Sequence, residues 1–186
     1  MANFLLRDPD CVLIHIPKTG GSSIRNGVWG KRNEPARFGP LPEEWKTYFR
    51  FAFVRHPLDR LVSAWADFSQ LRKYPGSIGD FLDIVTDESV IYDERRSNTK
   101  ERIRHHAIPQ THPFNALADA EFIGRFEHYE RDLHAILRRV GLPEITPPAE
   151  RKTAHKAWEA YLGGEALERA VAYYREDFEA LDYPLP

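Results

Sequence analysis

"CVLIHIPKTGGSS", residues 11–23, decides how this chain is read. Residues 11–16 form a short apolar run that Pro17 closes, the pattern of a buried strand. One lysine, two glycines and three hydroxyl residues then fill positions 18 to 23. A helix is expected from Ser22 to about Trp29, with Ser22 or Ser23 as its cap. A strand–loop–helix corner of this kind brings backbone N–H groups close to an anion. Glycine lets the ligand approach the main chain, and the helix start offers unpaired N–H groups and a positive dipole end. Lys18 adds a mobile cation. Lys18, Thr19, Gly20, Gly21, Ser22 and Ser23 are therefore candidate ligands for a phosphate or sulfate group. The order is wrong for the G-x-x-x-x-G-K-[ST] loop, because Lys18 precedes its glycines. The G-x-G-x-x-G dinucleotide fingerprint is absent as well.

Working outward, "FAFVRHPLDRLVSAW" (51–65) repeats the strand-to-helix arrangement. The strand is expected over 48–55. Pro57 suits the first position of the helix, whose apolar stripe would carry Leu58, Leu61, Val62, Trp65 and Phe68. Arg55 stands at the strand's end and offers a permanent planar cation suited to phosphate. Ser63 follows in the helix. Further along, "EFIGRFE" (121–127) reads as a third strand, and "YERDLHAILRRVGLPE" as an amphipathic helix stopped by Gly141 and Pro143. Helices are also expected in "SIGDFLDIV" and from about Gly164 to Leu181, while 33–45 reads as a loop with a short helix near Pro42. Strands followed by helices, without hairpin signals, predict βα units and a parallel sheet. Ligands bind outside the carboxyl ends of such strands. Both cationic corners lie there.

The 186 residues suit one domain, and apolar and charged contents of 42% and 29% are ordinary for a soluble protein. A net charge of −2 argues against a general nucleic-acid binder. The single cysteine, Cys11, forms no internal disulfide and reads as a buried inert thiol. Without a basic leader or an apolar run of about 20 residues, the expectation is a soluble, cytoplasmic protein with no membrane span.

Taken together, "IHIPKTGGSS" and "FAFVRHPLDRLVSAW" resemble the two cofactor signatures of sulfotransferases, in particular the carbohydrate group that includes the uronyl 2-O and chondroitin-type enzymes. "HAIPQTH", "FIGRFEHYERDLHAILRRVGLP" and "YYREDFEALDYP" continue the likeness in the same order. The resemblance implies an α/β fold, a three-layer sandwich around a central parallel sheet with a P-loop-like corner. It implies a single domain over 1–186, with 70–120 as an acceptor-side insert. The implied donor is 3′-phosphoadenosine 5′-phosphosulfate (PAPS), and the implied product adenosine 3′,5′-bisphosphate (PAP), with no metal.

Carried over, residues 18–23 hold the 5′-phosphosulfate, and Arg55 and Ser63 hold the 3′-phosphate. Lys18 also stabilises charge on the leaving oxygen. Arg60 matches a recurrent family position or serves as a surface ion-pair residue, and Lys152 and Thr153 fall in a late loop. The usual family histidine between the first helix and the second strand is missing. Glu34, His105, His106 and His112 are the alternatives for the base. The implied acceptor is a carbohydrate, a glycolipid or a small hydroxylated molecule, and Trp45, Tyr48, Trp65, Phe68 and Tyr74 are possible stacking faces. A binder that has lost activity and a divergent nucleotide kinase are the competing readings.

Overall fold

The computed structural model describes residues 3–36, 39–91, 98–148 and 153–186. In chain order its strands and α-helices are β1 (Asn3–Leu6), β2 (Cys11–Ile14), α1 (Gly21–Ile24), β3 (Asn33–Ala36), β4 (Phe49–Val54), α2 (Pro57–Arg72), α3 (Ile78–Thr86), α4 (Thr99–Ala107), β5 (Phe122–Arg125), α5 (Tyr129–Arg139), α6 (Gly164–Tyr173) and α7 (Arg175–Ala180). Contacts divide the chain into two compact units. One is Met1–Arg55 with Gln110–Arg151, and the other is His56–Pro109 with Lys152–Pro186. Residues 70–120, expected as an insert, are shared between them.

The first unit holds the sheet, in the order β3-β1-β2-β4-β5. β2, β4 and β5 are parallel, as the βα reading requires, with Leu13 opposite Phe51 and Phe53 opposite Gly124. The sheet as a whole is mixed, because β1 pairs antiparallel with both β2 and β3. Two expectations are corrected here. "NFLL" makes an unforeseen strand, joined to β2 by a four-residue turn that begins a hairpin. Residues 33–36, expected as loop, form β3 at the sheet's edge. Pro35 lacks an N–H, and an edge position tolerates that loss.

β1 and β2 are buried along their whole length, as are the last four residues of β4. Period-2 geometry sends Phe4, Leu6, Cys11, Leu13, Phe51 and Phe53 to one face. There they pack with Ile24, Trp29, Leu133, Ile136 and Leu137 from the helical segments of the same unit. Burial pushes the Cys11 thiol up to about 12, so it stays protonated and inert near neutrality.

The helix expected from Ser22 begins at Gly21. It makes one α-turn to Ile24 and then widens into a π-turn over Arg25–Trp29. α5 is amphipathic as expected, with Leu133, Ile136 and Leu137 fully buried.

In the second unit α2 starts at Pro57 as expected and buries Leu58, Leu61, Val62 and Phe68. α3 carries a capping box in which Ser77 and Asp80 satisfy each other's backbone N–H groups. The last predicted helix is two, α6 and α7, meeting at the buried Tyr174. No helix among the described residues is long and apolar enough to cross a membrane.

Candidate functional site

The corner after β2 is a chain reversal built from two left-handed residues. Lys18 has φ +71° and Gly20 has φ +87°. For a residue with a Cβ, that conformation costs roughly 1–2 kcal/mol, so Lys18 is held there by its surroundings. Such reversals of hand gather successive backbone N–H groups into a concavity for an anion. Thr19, buried, donates from Oγ1 to the Ile16 carbonyl at 2.8 Å and closes the loop on itself. Its hydroxyl proton is therefore committed to the loop. The Ser23 and Ile24 N–H groups donate back to the Gly20 carbonyl at 3.0 and 3.3 Å and start the helical turn.

Both glycines are required by close neighbours. A Cβ on Gly20 would stand 2.5 Å from Cε2 of Tyr129, whose hydroxyl donates to the Gly20 carbonyl at 3.0 Å. A Cβ on Gly21 would overlap the His15 ring, within 2.8 Å of its Cε1. His15 itself is buried, its N–H donates to Asn3 Oδ1 at 3.0 Å, and its ring meets Phe4 edge-on. Burial pushes its pKa down to about 4, and the charges of Arg25 and Lys18 add to the shift. A neutral imidazole thus lies under the loop at physiological pH. No sequence signal marks Tyr129 or Asn3 for these roles, since each acts across a long separation.

Arg55 follows the last residue of β4, the parallel neighbour of β2. Its Nη1 lies 3.5 Å from the Lys18 carbonyl. Its guanidinium stacks 4.5 Å from the Phe126 ring centroid, a favourable cation–π placement. The main chain of Arg55 is gripped by Gln110, which accepts from the Arg55 N–H and donates to its carbonyl, both at 2.9 Å. The structure thus brings Lys18, the glycine corner and Arg55 together at the ends of two parallel strands.

Glu34, on β3, pairs through β1 to the level of Val12, below the corner. It is two strands over from β2, about 10 Å sideways. Its carboxylate accepts from Arg7 Nε at 2.9 Å. His112 is exposed, and its Nδ1 accepts from the Phe114 N–H at 3.1 Å, which opens a helical turn.

In the second unit, Ser63 is buried on α2, and His105 and His106 are buried on α4. His106 has both ring nitrogens engaged, Nδ1 on the Arg102 carbonyl at 2.6 Å and Nε2 with Arg72 at 3.0 Å. Arg72 is in turn bonded to the buried Asp67. Arg60 is no surface ion-pair residue. It is 1% exposed, and its guanidinium donates to the carbonyls of His106 and Ile108 at the end of α4. Thr153 is half-buried, and Lys152 lies outside the described residues. Of the expected stacking faces, Trp45 and Phe68 are core. Trp65, half-buried, donates from Nε1 to the Gly76 carbonyl at 3.1 Å.

A family model described as Sulfotransferase family matches residues 26–184, beginning just beyond the corner. Carbohydrate sulfotransferase 14 of Homo sapiens is 30% identical over 75% of this chain and 43% of its own. Its counterpart in Danio rerio is 27% identical over 75% and 45%. The chain thus spans less than half the length of these curated relatives. A crystal structure of a sulfotransferase from Alicyclobacillus acidocaldarius aligns over 75% of this chain and 55% of that one, with a TM-score of 0.47 and 14% identity. On the family match, which takes in most of its length, the chain belongs to the sulfotransferase family.

Proposed function

We propose that the protein transfers a sulfuryl group from PAPS to a hydroxyl of a carbohydrate or small hydroxylated acceptor. One observation carries this reading: the Lys18 corner and the Arg55 side chain converge at adjacent parallel strand ends, 3.5 Å apart at Arg55 Nη1 and the Lys18 carbonyl. A donor with a phosphosulfate at one end and a 3′-phosphate at the other needs two cationic corners. The residues present fit it: a lysine, an arginine, hydroxyls at Ser22 and Ser23, and a loop whose reversed hand suits anions.

When bound, the donor supplies the sulfuryl group and a phosphate oxygen as leaving group. Lys18 would offer its ammonium to the negative charge growing on that oxygen, and so favour the transition state over the ground state. The glycine corner would hold the 5′ end in place, and Arg55 would bind the 3′-phosphate. Ser63 is assigned to the donor by resemblance alone. Positioning and charge carry most of the catalysis, as in phosphoryl transfer. For the acceptor proton, His105 and His112 are carried forward as base candidates. Glu34 is set aside by its place on β3, and His106 by its two occupied nitrogens.

The test is calorimetric titration of the purified protein with PAP and, separately, with ATP and magnesium. The reading expects PAP to bind and ATP to bind far more weakly. Preference for magnesium–ATP would favour a kinase instead. PAP binding with no sulfated product across an acceptor panel would mark a binder without activity.

A further inference from the structure

We propose that Gln110 is the positioning residue that aims Arg55 at the donor's 3′-phosphate. This rests on the reading of Arg55 given above.

Gln110 is fully buried, and its carboxamide is used at both ends. Oε1 accepts from the Arg55 N–H and Nε2 donates to the Arg55 carbonyl, each at 2.9 Å across 55 positions of sequence. A carboxamide has the donor and acceptor of a peptide group. Gln110 therefore stands in for a neighbouring strand at the point where β4 ends. β4 pairs with β2 only as far as Ala52, and with β5 as far as Val54. At Arg55 the clamp takes over.

Fixing both backbone groups of Arg55 fixes its φ and ψ, and with them the direction in which Cβ leaves the chain. Phe126 and the Lys18 carbonyl then set the far end of the side chain. Gln110 is anchored in turn, because its own carbonyl accepts from Nδ2 of the fully buried Asn115 at 3.4 Å. A cation aimed in this way meets an anion without first ordering its chain, which is where pre-organised sites gain their affinity. Gln110 touches no reacting atom. Its effect passes through Arg55.

The experiment compares calorimetric affinities for PAP and for adenosine 5′-monophosphate in the wild type, Gln110→Ala and Gln110→Glu, each shown folded by circular dichroism. Adenosine 5′-monophosphate lacks the 3′-phosphate, so the ratio of the two affinities reads the Arg55 end alone. A merely structural role would move both ligands together. The wild type is expected to prefer PAP, and Gln110→Ala to lose about tenfold or more of that preference while its affinity for the monophosphate stays unchanged. Gln110→Glu keeps the shape and the acceptor but removes the donor to the Arg55 carbonyl. It is expected to lose preference too, and it serves alone if the alanine variant does not fold. A wild-type preference retained in the folded variants would overturn the role of Gln110 and leave that of Arg55 standing. No preference in the wild type would overturn both.

Discussion

At the scale of single residues, Lys18 is the proposed carrier of the chemistry, and its left-handed backbone supports that reading. A lysine at φ +71° is held against its own preference by the Thr19 bond and the Gly20 turn. Backbone strain of this kind persists where the surroundings over-determine it, and it clusters at functional sites. Replacing Lys18 by alanine removes the ammonium and is expected to lower the turnover number by about 10²–10³, read in a sulfuryl-transfer assay. Glu34→Gln is expected to leave the rate within about twofold, as for other exposed positions. A larger loss would return Glu34 to the reaction.

His15 gives a stability prediction at the same scale. Its folded pKa of about 4 lies below the ordinary 6.5. Between those values the unfolded chain binds a proton that the folded chain refuses, so stability falls as pH falls through that window. Above the ordinary value the neutral ring costs nothing. The full loss amounts to about 3 kcal/mol. Urea unfolding at neutral pH and near pH 5 should show this slope in the wild type, and a shallower one in His15→Gln.

Among the elements, those with a strong period or a long apolar run were legible from sequence. β4, α2 and α5 fall where the pattern puts them. β1 and β3 were not, because each forms through antiparallel pairing that the segment's own pattern does not announce. Asn33–Ala36 contains a proline and a glutamate that argue against a strand. Pairing with β1 overrides that local preference.

The end of α4 carries its own prediction. Arg60 donates to two carbonyls there, and the Tyr174 hydroxyl donates to the Ala107 carbonyl between them. Arg60→Met would leave two buried acceptors without donors, at about 1–3 kcal/mol each. Chemical denaturation should show a loss of at least that size. A neutral result would mean that the carbonyls find other donors.

For the molecule as a whole, the sequence carried the cationic corners further than it carried their support. Motif residues announce themselves by type and spacing. Gln110 holds Arg55 from 55 positions away through two bonds to backbone, and Tyr129 holds Gly20 from 109 positions away through one; such contacts leave no period to detect. The base was illegible for a related reason. A histidine's fitness depends on which nitrogen is occupied, and only the folded chain reveals that His106 has neither to spare. The most direct measurement is the initial rate of transfer from radiolabelled PAPS to a panel of carbohydrates and small alcohols, with wild type and Lys18→Ala side by side. Labelled product from the wild type and its near-complete loss in the variant is the predicted result. Equal rates in both, or no product while a nucleoside triphosphate is turned over instead, would contradict it.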